Sequence, residues 1–355
     1  MISVCVIAKN EEAVIARCID SVKDLAGEIV ILDTGSTDRT MEIAREMGAR
    51  VFEQPWEDNF AKAKNACMSH ATGDYIFFLD ADETFVGDAE MLKAEIAAFP
   101  DSDLYHGKMT YPNHAYEFVT TKISPRGRGI WIGKCHEYLN PINKIWVNTH
   151  LPNLIILHQP TEGKENATKR NLRIINRALK DAPRDEPNLV PRYNYYYARE
   201  LRDNGEYEEA IKYYRTYLDF GYTWNAERHS AACDMANCHM FLGRTKEARQ
   251  ACFEAIEIDS TLITPYIILG FMAHASKNWR ELAGWCRMAL TMKDRPHPLF
   301  DNITYRKDTA HRNLGVALWY LGEFEKGRQH LLEALKYSPD DPQILENLKF
   351  FKVGP

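Results

Sequence analysis

One stretch constrains this chain more than any other: Gly73-Asp74-Tyr75-Ile76-Phe77-Phe78-Leu79-Asp80-Ala81-Asp82-Glu83. A Gly-Asp turn leads into an apolar, aromatic-rich run that ends in three carboxylates within four positions. A run of this kind and length reads as a buried strand rather than a helix. Its C-terminal end is where open α/β sheets place ligands. On a regular strand Asp80 and Asp82, two apart, point the same way. Buried side by side, two like charges repel at considerable cost. A divalent cation that favours hard oxygen ligands, Mg²⁺ or Mn²⁺, resolves that conflict and can then hold a phosphate. Taken alone, an Asp-x-Asp is more often a solvated acidic turn, so its neighbours decide the matter.

Upstream, strand and helix alternate. Ile2–Ala8, Glu28–Asp33 and Arg50–Glu53 read as strands. Between them run helical patterns through Val14, Ile15, Cys18, Ile19 and Val22, and through Met41, Ile43, Ala44 and Met47. Ser36 or Thr37 is the expected cap of the second helix, and Gly48 its stop. Residues 59–70 form a third helix with Ala61, Ala63, Ala66 and Cys67 as its small-residue side. The β-α-β-α-β-α-β order predicts a mostly parallel sheet with helices on both faces. Asp33 then ends the second strand and Asp80 the fourth, while Asn10 and Glu11 follow the first, so three polar clusters meet on one rim. Neither a Gly-x-Gly-x-x-Gly fingerprint nor a P-loop is present.

Three motifs carry a resemblance: Ile7-Ala8-Lys9-Asn10-Glu11-Glu12, Asp33-Thr34-Gly35-Ser36-Thr37-Asp38, and Gly73-Asp74-Tyr75-Ile76 leading into Leu79-Asp80-Ala81-Asp82-Glu83. In order and spacing, the first 85 or so residues resemble the family-2 glycosyltransferases of the GT-A fold. The resemblance implies a nucleotide-sugar donor, most often a UDP-sugar, a divalent metal (Mn²⁺ or Mg²⁺), and inverting transfer to an acceptor nucleophile. Carried over by position, Asp33 hydrogen-bonds the uracil, Asp80 lies near the ribose and donor sugar or reaches the metal through water, and Asp82 ligates the metal. Ala8, Asn10, Glu11, Lys62 and Asn65 complete the nucleotide-sugar set. The chemistry agrees. A metal clamp offsets charge where it develops on the leaving phosphate, and a carboxylate can accept the uracil N3–H, a proton cytosine lacks. The competing reading of Asp33 is a turn or helix-capping residue.

Residues 84–100 look helical, and 104–109 and 116–123 read as strands around Pro112, Asn113 and His114. A Gly- and Arg-rich turn then leads to Trp131, His136 and Glu137. An inverting transfer needs a base on the acceptor side. Glu137 is the candidate, with His136 as neighbour or alternate, although family-2 enzymes more often carry an Asp-rich pair in this role. The bland alternatives are a structural His-Glu pair and, for Trp131, core packing instead of stacking on a sugar. His158 closes the apolar run Leu154-Ile155-Ile156-Leu157. The resemblance makes it a further metal ligand beside Asp82 and Asp80, against a purely structural histidine. Lys164, Lys169 and Arg170 are cations that reach a diphosphate or simply line a solvated helix face.

From about residue 171 strand signals vanish. A linker spans roughly 171–190, and a helical pattern then recurs around Gly205, Gly243 and Gly322, with a degenerate copy near Leu269 and Asn278. The first step, 38 residues, is near the ~34 of tetratricopeptide repeats, and the segment 191–355 resembles a TPR array of about four units. Such arrays bind peptides or helices on a concave face; a homodimer interface or a plain scaffold are the other uses. The fold class is therefore an α/β GT-A domain over residues 1–170 followed by an all-α TPR-like domain.

A formal net charge of −6 gives no general footprint for nucleic acid. Eight cysteines without a CxxC pair suggest reduced thiols. The N-terminus lacks a signal-peptide layout and no apolar run reaches membrane-spanning length, so the expected location is cytoplasmic. Acceptors left open are a glycan, a peptide or a modified nucleic acid. The rival functions are a non-catalytic TPR binding module with a decayed nucleotide site and a nucleotidyltransferase.

Overall fold

The computed structural model describes every residue except 113–115, 161–166, 222, 293–300, 303–306 and 354–355. His114 and Lys164 lie outside the described residues. The chain divides into two units, Met1–Leu189 and Val190–Pro355.

The first unit begins β1 (Ile2–Ala8), α1 (Ile15–Val22), β2 (Glu28–Asp33), α2 (Thr40–Glu46), β3 (Arg50–Glu53), α3 (Phe60–Ser69) and β4 (Tyr75–Asp80). It continues through β5 (Glu83–Phe85), α4 (Ala89–Ala98), β6 (Leu104–Thr110), β7 (Tyr116–Pro125), β8 (Gly129–Ile132), β9 (Tyr138–Pro141), β10 (Asn148–His158) and α5 (Ala167–Asp185). The main sheet runs β3-β2-β1-β4-β7-β6-β10-β5. Its first four members are parallel, as the alternation predicts, with β1 between β2 and β4. Beyond β4 the sheet becomes mixed: β7 is antiparallel to both β4 and β6, and β10 is parallel to β6. The hairpin β8–β9 stands apart as its own two-stranded sheet.

The apolar runs bury both faces. Val4, Val6, Phe77 and Leu79 pack with Ile15, Ile19, Leu92 and Ile96 on one side. Cys5, Val30, Leu32, Ile76 and Phe78 pack with Ala61, Ala63, Cys67, Trp131 and Leu139 on the other. This two-residue alternation explains why the central strands read as continuous apolar runs. It also puts Asp80 on the side of Phe78, facing α3.

Three local expectations change. The expected 73–83 strand is two strands, because the chain turns at Ala81-Asp82 and Glu83 starts β5, antiparallel to β10. The helix expected over 84–100 begins only at Ala89, where the Asp88 side chain accepts from the Met91 N–H. Helix α2 begins at Thr40, and Asp38, not Ser36 or Thr37, accepts its first N–H.

The second unit consists of α6 (Val190–Asp203), α7 (Tyr207–Asp219), α8 (Asn225–Phe241), α9 (Thr245–Ile258), α10 (Thr264–Ala275), α11 (Trp279–Thr291), α12 (Lys307–Tyr320), α13 (Phe324–Tyr337) and α14 (Pro342–Val353). Among the described residues, four helix pairs and a closing helix match the expected array. Gly205, Gly243 and Gly322 hold the inter-helix turns at φ of +81°, +72° and +79°. In the degenerate copy Lys277 takes the same turn at φ +55°, at a side chain's steric cost.

Away from the carboxylate rim, Glu28 at the start of β2 accepts from Ser3, Thr72 and Arg50. Burial opposes the charge, but these donors pull the carboxyl down to about 2. A depressed carboxyl stabilises the fold above its unfolded value of 4.5 and loses that contribution as pH falls toward 2. Glu28→Gln is expected to cost the first unit about 2 kcal/mol at pH 7. In urea titrations the difference from wild type should shrink steadily between pH 5 and pH 2.

Candidate active site

Parallel pairing brings the ends of β1, β2 and β4 together, with Ala8 opposite Asp33 and Ile7 opposite Asp80. The loops after β1 and β2 are then sewn to each other. Asn10 sits at φ +56°. Its N–H donates to Ser36 Oγ at 2.9 Å and its Oδ1 accepts from the Thr37 N–H at 2.8 Å. The Glu11 N–H donates to Thr40 Oγ1 at 2.7 Å.

Asp33 is 2% exposed. Its Oδ1 accepts from the N–H groups of Gly35 and Ser36, both at 2.8 Å, which is the turn-forming role. Its Oδ2 is buried with no hydrogen-bond partner. A buried acceptor left unmatched is costly, and this oxygen is free in geometry to accept from one further donor.

The carboxylates after β4 are arranged otherwise than a continuous strand would have them. The turn at Ala81-Asp82 sends Asp80 and Asp82 apart. Asp80 meets two lysine ammonium groups, Lys64 of α3 at 3.0 Å and Lys122 of β7 at 3.3 Å. Burial works against its charge, but Lys122 and Lys64 hold its carboxyl far below the usual range. Lys122 also contacts both oxygens of Glu83, at 2.8 and 2.9 Å. Burial disfavours its ammonium, while Asp80 and Glu83 raise its pKa above the ordinary value. Like-charge repulsion is thus relieved by lysines and does not itself require a metal. Asp80 remains 40% exposed above lysines that are 3% and 6% exposed, so it is still open to a ligand.

Asp82 turns toward His158. Its carbonyl accepts from the Gln159 N–H, and Glu83 pairs with His158 across β5 and β10. The pairing sets His158 Nε2 3.5 Å from Asp82 Oδ2. Burial works against the imidazolium, but the hydrogen bond to Asp82 and the nearby carboxylates raise the His158 pKa. Among the described residues no group of three His, Cys, Asp or Glu is gathered as a metal cluster. One carboxylate oxygen and one imidazole nitrogen facing each other suit two-point ligation of a Mn²⁺-type ion, with Asp80 drawn off by its lysines.

Glu137 and His136 lie at the tip of the β8–β9 hairpin, where Gly133 and His136 take φ of +100° and +52°. Glu137 bonds Lys64 at 2.8 Å. Trp131 is core, packed on Phe78 with ring centroids 5.3 Å apart. Asn65 spends both ends of its amide on the Trp131 main chain, at 2.9 Å each. Lys62 pairs with Glu57 at the surface. Arg170 stacks on Phe60.

The sequence reading missed Lys64, Lys122 and Glu83. Lys64 did leave a signal, since it falls three residues from both Ala61 and Cys67, on the helix face meant for the core. Lys122 left none, because only the topology shows β7 to be a central strand.

Residues 3–94 match Glycosyl transferase family 2, and residues 191–220 and 309–341 match tetratricopeptide repeats. The SPbeta prophage-derived glycosyltransferase SunS of Bacillus subtilis is 27% identical over 250 residues, 67% of this chain and 58% of SunS. An uncharacterized glycosyltransferase of Rickettsia typhi is 43% identical over 82 residues, 23% of this chain and 28% of that protein. A TPR repeat-containing protein of Synechococcus elongatus is 46% identical over 88 residues, 25% of this chain and 22% of that protein. The chain therefore spans less than two thirds of the length of each of these relatives.

Removing the inner cation should be costly. Lys122→Met leaves Glu83 buried beside an under-compensated Asp80 and is expected to lower the first unit's stability by about 3–5 kcal/mol. The exposed Lys62→Met should stay within about 0.5 kcal/mol of wild type. Equal urea midpoints for the two variants would contradict the assignment.

Proposed function

We infer from the match of residues 3–94 to Glycosyl transferase family 2, and of residues 191–220 and 309–341 to tetratricopeptide repeats, that a family-2 glycosyltransferase domain precedes a tetratricopeptide array. From that premise we propose that the chain is an inverting glycosyltransferase. It moves a sugar from a UDP-sugar to a nucleophile on a glycan, a peptide or another macromolecule such as a modified nucleic acid. The observation that carries the reading is Asp33. Its Oδ1 fixes the turn, and its buried, unmatched Oδ2 is an acceptor suited to the N3–H of uracil. SunS, named a glycosyltransferase, aligns over 67% of this chain and supports the same class.

Each residue then has a task. Asn10 and Glu11 hold the β1 loop against the β2 loop and so shape the floor beneath the nucleotide. Asp80, anchored by lysines yet open on its outer side, accepts from donor hydroxyls. Asp82 and His158 would hold Mn²⁺ or Mg²⁺, which when bound supplies positive charge at the diphosphate. Glu137 takes the proton of the acceptor nucleophile. The helical array offers the acceptor, a partner or a second copy of the chain a surface.

The first test is release of UDP from a panel of UDP-sugars with and without Mn²⁺. Pyrophosphate release would instead mark a nucleotidyl transfer, and no turnover would leave a binding module. Asp33→Asn is the sharper probe. It keeps an oxygen for Gly35 and Ser36 but replaces the unmatched acceptor with an N–H₂ donor. UDP affinity by calorimetry is expected to fall about 10- to 100-fold, with folding intact. Unchanged affinity would remove the main support.

A further inference from the structure

The geometry points to Lys64 as a positioning residue that ties the donor-side carboxylate Asp80 to the acceptor-side carboxylate Glu137, a role that rests on the transfer reaction proposed above. Its ammonium lies 3.0 Å from Asp80 and 2.8 Å from Glu137. It also sits over two rings, 4.3 Å from the Trp131 centroid and 4.9 Å from that of Phe78. An ammonium 3% exposed has lost nearly all its water. Two anions and two aromatic faces replace that hydration. One cation thus bridges groups on separate elements, the end of β4 and the tip of the β8–β9 hairpin.

Helix α3 grips that hairpin at three places. The Phe60 N–H donates to the Lys134 carbonyl at 2.9 Å. Asn65 brackets the Trp131 main chain. Lys64, next to Asn65, takes the Glu137 carboxylate. The first two contacts hold backbone, so the hairpin keeps its place without Lys64. Only the third fixes the direction of the Glu137 side chain. Asp80, by contrast, has a second cation in Lys122. Loss of the Lys64 charge therefore leaves Asp80 paired and releases Glu137. The effect belongs to the acceptor side of the reaction and to kcat, not to capture of the donor.

The test is a double-mutant cycle in the full chain with UDP-sugar turnover in Mn²⁺, alongside UDP affinity by calorimetry and thermal melting. Lys64→Met is expected to leave donor KM and UDP Kd within about threefold while lowering kcat as far as Glu137→Gln does. The double variant should be no slower than Glu137→Gln alone, as for residues acting through one another. Lys64→Arg, which keeps the charge, should recover kcat to within about tenfold of wild type. It also keeps the question answerable if Lys64→Met fails to fold, since a folded Lys64→Arg as slow as Glu137→Gln would overturn the proposal. Multiplicative losses in the double variant, or a raised donor KM with kcat unchanged, would overturn it too, the latter making Lys64 a donor contact. These results leave transfer itself standing, whereas a wild-type chain that releases no UDP from any UDP-sugar would sink both.

Discussion

Two ammonium groups buried beneath the ends of β4 and β5 are the condition on which the rim of this sheet depends. A parallel α/β sheet gathers strand ends along one edge, and this chain places Asp80 and Glu83 there, with Glu137 brought over by the hairpin. Three carboxylates gathered this closely, two of them largely buried, would disfavour one another's charge without cations among them. Lys64 and Lys122 come from opposite directions, one from a helix and one from a central strand, and leave a network with both signs interleaved. The site is thereby set before any ligand arrives, the condition under which fixed charges are most useful to a transition state. The same arrangement separates the two aspartates of the Asp-x-Asp. Asp80 belongs to the lysines, and Asp82 lies beside His158.

Much of this was legible in the sequence, for identifiable reasons. The central strands β1 and β4 are buried on both faces, so Val4, Val6, Phe77 and Leu79 alternate with Cys5, Ile76 and Phe78 without a polar interruption, and the run declares itself. The break after Asp80 does not, because Ala81, Asp82 and Glu83 prolong the pattern while the chain is already turning to pair with β10. The direction of Asp80 follows from the alternation within β4; it is Asp82, beyond the break, whose direction a continuous strand would give differently. The repulsion expected between Asp80 and Asp82 is relieved on the Asp80 side by cations the sequence does not show together, since Lys64 and Lys122 are 16 and 42 residues away from Asp80 in the chain. Burial of a lysine cannot be read where only the topology reveals the neighbours.

The helical half illustrates the opposite case. Its repeats announce themselves through glycines whose left-handed turns few other residues tolerate. Even the degenerate copy obeys the rule, with Lys277 forced into the same conformation. Aromatic pairs recur at the helix ends, Tyr207 on Phe241 and Trp279 on Tyr320, both stacked within 5°. Such regularity specifies a stack of helices. It does not specify what the stack is for, because one fold serves many functions.

Asp33 shows why two readings of one residue need not compete. A carboxylate has two oxygens, and each can accept independently. As a turn former Asp33 needs one of them, used on Gly35 and Ser36; the other is buried and unmatched, and the proposed contact to uracil would need only that one. Serine or threonine could close the turn with a single oxygen and would bury no second acceptor. Asparagine could close it too, but would present a donor in place of the second acceptor. The cost of burying an unmatched carboxylate oxygen is therefore not required by the turn, and what sets it apart from the many turn-forming aspartates of other loops is the oxygen the protein leaves without a partner.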